Sequence, residues 1–248
     1  MAPIIDQKIV VEMWSDLICP WCRIGEKNFA QALEAFAHRD AVDIVLRSYR
    51  LMPGSETMPV ERVMQEKYGL EPDEITQSFA KLEATAAGVG LHYHLAGSWA
   101  GDTVDGHRLV KLAQTVGKGQ AMFERLFSAA MCEQLCIQEH AVLRALALEE
   151  GLAAGDIDRV LEGNEYRLEV EADEQTMKGY GGRGVPFFVI NGRYDYSGAL
   201  APDIFLSGLM KAWQDAGTVK VADVTDVADV VDSTAMVCGP EGCILPER

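Results

Sequence analysis

The sequence predicts an α/β fold in which a βαβ unit and a later ββα unit frame a long helical stretch. Three features carry that expectation. Two β-rich runs, KIVVEMW at 8–14 and VDIVLRSYRL at 42–51, are separated by a segment with helical spacing that is too long for a hairpin, so the strands are expected to run parallel. From about residue 59 to 165 the pattern is helical almost throughout. Then VPFFVING at 185–192 and RYDYSGAL at 193–200 read as two strands about Asn191-Gly192, a strong hairpin signal.

The elements follow in order. The first strand is apolar but for Lys8 and Glu12. From Pro20, the residues Trp21, Ile24, Phe29, Leu33 and Phe36 recur at helical spacing up to His38. Pro59 and Pro72 read as first-turn prolines of two helices, and Gly69 ends the first of them. Further helices are expected over 72–87, 105–116, 118–131, 138–150, 155–163 and about 165–180, punctuated by GVG, GKG and EEGLAAG. Pro202 opens a last helix to about Trp213. Beyond 217 the chain is acidic, valine-rich and free of aromatics, which suits a loosely packed extension or a strand laid over the domain. The expected organisation is an α/β domain in two parts, 1–58 and 166–214, an inserted helical domain at 59–165, and an acidic extension at 215–248.

A chain of 248 residues buries a core without help from disulfides. Its 22 Lys plus Arg against 38 Asp plus Glu give a formal charge of -16, which repels nucleic acid and anionic membrane; neither is an expected partner. The opening MAPIIDQKIVVEMW has no apolar stretch of signal-peptide length, and no later run approaches the roughly 18 apolar residues of a membrane span. The expected setting is therefore cytoplasmic. In that reducing compartment closely spaced cysteines are catalytic, redox-sensing or metal-binding rather than structural.

The six cysteines fall into three pairs. If the helix starts at Pro20, Cys19 is its N-cap and Cys22 lies one turn on, so free backbone N–H groups and the positive helix end surround the Cys19 sulfur. Cysteines in such settings have pKa values of about 3.5 to 7.5. Cys19 is then an exposed attacking thiolate and Cys22 its resolving partner. A zinc site would need a second ligand pair of like kind, and zinc knuckles seldom precede a helix with Trp inside the motif; no metal is expected. Cys132, Cys136 and His140, at i, i+4 and i+8, are expected along one helix face, as small core side chains in preference to soft-metal ligands. Cys238 and Cys243 flank Gly-Pro-Glu-Gly, a turn able to bring their α-carbons within disulfide range, either as an auxiliary redox pair or as a clip on the tail. His92 and His94 read as surface residues. Met52, Met58 and Met64 read as core, or as lining for a peptide groove.

Cys-Pro-Trp-Cys after a first strand, GVPFF before a late one, and helices between βαβ and ββα together resemble the DsbA-type branch of the thioredoxin fold. VEMWSDLICPWCRIGEKNF, GDTVDGHRL and GVPFFVING with the later SGAL are similar to the FrnE-like cytosolic oxidoreductases of that family. Cys238-Gly-Pro-Glu-Gly-Cys243 matches a second cysteine pair found in some of them. The resemblance spans the organisation of residues 7–213. It implies a thioredoxin fold with a large helical insertion and protein disulfide oxidoreductase or isomerase activity through Cys19 and Cys22, with no cofactor. The implied partners are protein or peptide thiols and disulfides, with glutathione or a thioredoxin-type reductant as recycling partner. It also implies a cis Val185-Pro186 peptide facing the cysteines, Val185 offering its backbone to substrate, with Pro20 and Trp21 beside it.

Glu12, in the strand leading to Cys19, is a candidate proton acceptor for Cys22 or else a strand-edge or solvent-facing carboxylate. Where family members carry Asn-Thr and Ala-His-Arg-Leu, this chain has Asp102-Thr103 and Gly106-His107-Arg108-Leu109, so His107 is expected to pack near the site rather than catalyse. Against a cytosolic glutathione poise of about -220 to -260 mV a DsbA-like pair sits mostly reduced, which favours reductase or isomerase work over oxidase work. Two rival functions share the architecture or the surface: a glutathione-dependent isomerase of small aromatic substrates, and a holdase-type binding module.

Overall fold

The computed structural model describes residues 7–218 together with 237–239 and 242–244. The chain begins with β1 (Ile9–Ser15), α1 (Pro20–Ala35), a 3-10 turn (Arg39–Ala41) and β2 (Val42–Ser48). A largely helical stretch follows: β3 (Met58–Pro59), α2 (Val60–Tyr68), α3 (Pro72–Gly88), β4 (Trp99–Ala100), α4 (Val104–Thr115), α5 (Gly119–Met131), α6 (His140–Glu149) and α7 (Ala154–Glu162). The last elements are α8 (Arg167–Gly179), β5 (Phe187–Ile190), β6 (Tyr194–Ser197), α9 (Pro202–Thr218) and a small hairpin of β7 (Val237–Gly239) and β8 (Gly242–Ile244).

The main sheet has the order β2-β1-β5-β6, with β1 and β2 parallel and the other neighbours antiparallel. Strand alternation assigns its two faces. Phe188, opposite Met13, stacks on Phe29 of α1 and meets Phe205 of α9 edge-on, so α1 and α9 cover that face. On the other face Trp14 packs against Phe187 and donates its indole N–H to the Asp173 carbonyl of α8 at 2.8 Å. The helical stretch rests on the sheet through α4, where Gln114 donates to the Leu46 carbonyl at 3.0 Å and Lys111 pairs with Asp173. The same buried Asp173 accepts the Ser48 amide at 2.8 Å and pairs with Arg47 at 3.0 Å.

Several boundaries differ from the sequence reading for local reasons. α1 stops at Ala35 because Phe36 turns extended (ψ 124) and packs edge-on to Trp213. β2 stops at Ser48 because β1 ends opposite it, at Ser15; the Leu51 amide is taken by the Asp16 carboxylate instead. Pro59 lies just ahead of α2 with ψ 141, pairing with Trp99, rather than inside the first turn. α9 continues past Trp213 to Thr218. The hairpin signal is matched: Asn191 and Gly192 have φ of 52 and 65, and the Arg193 amide donates to the Ile190 carbonyl at 3.0 Å.

The shared helix face expected for Cys132, Cys136 and His140 is overturned. α5 ends at Met131, Cys132 is its C-cap residue, Gln134 reverses the chain with φ 57, and His140 begins α6. His140 is exposed and pairs with Asp105 at 2.8 Å. Among the described residues no group of three or more His, Cys, Asp or Glu is placed to hold a metal, and no helix is long and apolar enough to cross a membrane. In the β7/β8 hairpin the backbones of Cys238 and Cys243 are directly opposite. The expectation for the rest of the tail lies outside the described residues.

Candidate active site

Cys19 and Cys22 sit where β1 hands over to α1. The intervening loop is drawn tight by the Cys19 amide, which donates to the Asp16 carbonyl at 3.1 Å, and the Cys22 amide donates to the Cys19 carbonyl at 3.0 Å. Cys19 is extended (φ -96, ψ 106), and its side chain makes no capping hydrogen bond. Its sulfur thus stands at the positive end of a helix of 16 residues. Both thiols are free.

Contrary to the expected exposed thiolate, Cys19 is fully buried, as is Cys22. Trp14, Tyr49, Met177, Val185, Phe187 and Val189 close over the pair in one apolar cluster. The Cys19 thiol points to the Val185 carbonyl oxygen at 3.9 Å, and the Val185-Pro186 peptide is cis. Pro20 and Trp21 are half-buried at the edge. Close approach of α1 to this segment depends on Gly25, where an added Cβ would lie 2.9 Å from Pro186 Cγ.

Burial pushes the Cys22 thiol well above its ordinary pKa, the hydrogen bond and charge of Cys19 add to this, and Glu26 adds further; a backbone hydrogen bond from Asp16 opposes it. Glu26 lies one turn beyond Cys22 on α1 and is itself buried. Burial raises its carboxyl, although Arg23 at 2.6 Å and the Ser15 hydroxyl at 3.3 Å pull the other way. It is a carboxyl able to hold a proton next to Cys22.

Glu12 does not occupy that position. It shares the α8 face of β1 with Trp14, and its carboxylate is bound by Arg47 at 2.6 Å and by the Tyr180 hydroxyl at 3.3 Å. Glu12 is neither at a strand edge nor open to solvent, because β1 lies between β2 and β5 and the carboxylate is held in its ion pair with Arg47; Glu26 is the carboxylate beside Cys22. Glu26 was visible in principle, at i+4 from Cys22.

The helical stretch contributes four further groups. Tyr93 points inward between the exposed His92 and His94 and donates its hydroxyl hydrogen to the Pro20 carbonyl at 2.8 Å. Burial and the nearby Cys19 and Cys22 hold that hydroxyl protonated far beyond the usual tyrosine range. Thr103, the N-cap of α4, donates to Asp16 Oδ1 at 2.7 Å, and His107, one turn on, brings Nε2 to 3.4 Å from the same oxygen. Asp102 accepts the Val104 and Gly54 amides at 3.0 and 2.7 Å and pairs with Arg50. None of Tyr93, Thr103 or Asp16 was legible as a site residue, since each depends on contacts 73 or more residues apart in the chain.

Beside the motif opens a cleft of about 490 Å³, walled by Ile18, Pro20 and Trp21 on one side and by Leu51, Met64 and Leu82 among others. Met52 lines it too; Met58, held in β3, does not. Its charged lining residues are Lys67 and Lys81.

Comparison with known proteins bears on this arrangement. A family model described as the DSBA-like thioredoxin domain matches residues 10–209. The solved structure of a probable DsbA oxidoreductase from Streptomyces coelicolor is 35% identical and superposes with a TM-score of 0.81, covering 96% of this chain and 100% of that one. The cytosolic disulfide reductase DsbM from Pseudomonas aeruginosa matches at 22% identity and a TM-score of 0.56, over 83% of this chain and 98% of its own. A 2-hydroxychromene-2-carboxylate isomerase matches at 12% identity and 0.58, over 85% and 100%. The last two share the fold. No curated protein sequence matches the chain significantly.

Proposed function

The chain belongs to the family of DSBA-like thioredoxin domains, and from that premise we propose that it is a thiol-disulfide oxidoreductase acting on protein disulfides through Cys19 and Cys22. One observation carries the reading: two free thiols one turn apart at a helix start, with a carboxyl of raised pKa one turn further on.

In the reducing direction Cys19 sulfur attacks one sulfur of a substrate disulfide, forming a mixed disulfide and releasing the other substrate sulfur as thiolate. Cys22 then loses its proton to Glu26 and attacks Cys19 sulfur. A Cys19–Cys22 disulfide forms and the second substrate thiolate leaves, so two electrons have passed to the substrate. Because burial keeps Cys22 protonated, the mixed disulfide persists until a base takes that proton. Glutathione or a thioredoxin-type thiol restores the dithiol. Isomerisation uses the first step and its reversal, and oxidation runs the whole sequence backwards.

Substrate approaches along Pro20 and Trp21, with its backbone against Val185 and Pro186 and apolar side chains flanking its cysteine in the adjoining cleft. The match to a cytosolic disulfide reductase and the reducing poise of the cytosol favour reductase or isomerase work there. Within the family the FrnE-like branch is our assignment, carried by Cys-Pro-Trp-Cys and the Cys238/Cys243 pair, which we assign as an auxiliary redox pair.

The test is insulin reduction and refolding of a scrambled substrate by Cys19→Ser and Cys22→Ser. Loss of both activities in Cys19→Ser is expected, with mixed disulfides accumulating in Cys22→Ser. Retention of activity by Cys19→Ser overturns the reading. A glutathione-dependent isomerase would keep turning over without Cys22.

A further inference from the structure

His107 is buried and titratable, and the thiol chemistry above makes no use of it. It is 1% exposed, and its Nε2 has no hydrogen-bond partner among the described residues. The nearest carboxylate is that of Asp16, itself fully buried, at 3.4 Å. Asp16 links three parts of the molecule. Its backbone carbonyl receives the Cys19 amide at 3.1 Å, its Oδ2 receives the Leu51 amide at 2.6 Å, and its Oδ1 receives the Thr103 hydroxyl at 2.7 Å. The loop that presents Cys19 is therefore tied to the start of α4 through a single side chain.

A buried carboxylate needs donors for its lone pairs, and an imidazole nitrogen facing it with its own lone pair would be repelled. The nitrogen facing Asp16 must be the protonated one. At 3.4 Å the pair lies just outside the normal hydrogen-bond range of about 2.7 to 3.2 Å, within reach of a small shift of either side chain.

We propose that His107 is a positioning residue for the thiol chemistry: its Nε2–H holds the Asp16 carboxylate, and through it the loop and amide that aim Cys19 at the helix start. This rests on the oxidoreductase reading only for its consequence, since the reactivity of Cys19 is measurable without any turnover.

The test uses the full chain carrying Cys22→Ser, with alkylation by iodoacetamide at neutral pH read at the Cys19 peptide by mass spectrometry, so that the four other cysteines do not contribute to the rate. His107→Leu keeps the bulk and removes the N–H, whereas His107→Gln places an amide N–H near the lost Nε2. We expect His107→Leu to slow Cys19 alkylation about five- to tenfold, the size of effect one lost ordinary hydrogen bond has, and His107→Gln to stay within about twofold of the parent. In the otherwise unaltered chain the nitrogen-15 resonance of His107 Nε2 should be that of a protonated nitrogen and should move between the dithiol and disulfide forms. Parent-like alkylation in His107→Leu, equal slowing in both variants, or a bare lone pair on Nε2 overturns the proposal. Should His107→Leu fail to fold, the resonance decides alone. Failure of the oxidoreductase reading would show separately, as disulfide reduction that survives Cys19→Ser.

Discussion

Tyr93 donates its hydroxyl hydrogen to the carbonyl oxygen of Pro20 at 2.8 Å, so a residue of the helical stretch holds the first turn of the helix that carries both cysteines. The hydroxyl is buried and stays protonated, which makes it a fixed donor. Tyr93→Phe removes that bond and keeps the ring against Phe127. We expect a loss of about 0.5 to 1.5 kcal/mol of stability, read by urea unfolding. An unchanged denaturation midpoint would show that the bond contributes nothing.

Cys22 and Glu26 both bind protons more tightly when folded, and this sets the sign of the pH dependence. Between the ordinary and the folded pKa of each group, the unfolded chain has lost a proton that the folded chain retains, so stability falls as pH rises. For the thiol the window opens near an ordinary value of about 8.5, and the slope there is about 1.4 kcal/mol per pH unit at most. Dithiol protein should lose stability from pH 8 to 10 faster than Cys22→Ser does. Equal slopes in urea melts across that interval would mean that Cys22 ionises as readily folded as unfolded.

The carboxyl has a kinetic counterpart. Glu26→Gln removes the acceptor for the Cys22 proton while keeping a side chain of the same shape that still meets Ser15 and Arg23. Release of a preformed Cys19 mixed disulfide should slow by about 100-fold or more near neutral pH, as loss of a general base does. The slowing should shrink as pH rises and Cys22 ionises without help. Glu12→Gln should leave that step alone, because Glu12 is held by Arg47 across the sheet.

The frame of this site was legible and its interior was not. Cys19 at an N-cap, the β1-α1-β2 order and the Asn191-Gly192 turn are local features, written in spacing and turn chemistry. The CxxxC pair misled because i, i+4 spacing marks a shared face only if the helix is continuous, and Gln134 breaks it. Cys19 was expected to be exposed because Pro20 and Trp21 mark a turn, yet Val185, Met177 and Tyr49, from distant parts of the chain, cover it. Glu12 and Glu26 are both acids near the motif in sequence. Only the strand alternation that sends Glu12 to the α8 face, and the helix turn that keeps Glu26 beside Cys22, separates them.

Gly25 is where α1 meets the Val185-Pro186 segment. A methyl group there would lie 2.9 Å from Pro186 Cγ and 3.4 Å from Ala199 Cα, so either the helix or the loop must give way. Gly25→Ala should cost about 1 to 3 kcal/mol, as overpacking does, despite the better helix propensity of alanine. It should also lower insulin reduction by more than it lowers Cys19 alkylation, because the shift falls on the surface that receives the substrate backbone. A variant as stable and as active as the parent would show that the segment has slack.

The cleft beside Pro20 and Trp21 gives the last prediction. Its walls are aliphatic side chains and the flexible Met52 and Met64, with the aromatic Tyr68 and Trp99 at its rim, both partly exposed. Apart from Lys67 and Lys81 the lining carries no charge, and leucine or aromatic side chains next to a substrate cysteine would bury area there at about 25 cal/mol per Å². Placing a charge in the wall with Leu82→Glu should therefore raise KM for peptide disulfides with apolar flanks about fivefold or more and leave kcat nearly unchanged. The same peptides with serine flanks should be affected much less. Kinetics on the two peptide sets decide the matter: an equal effect on both would mean that substrates reach Cys19 without entering the cleft.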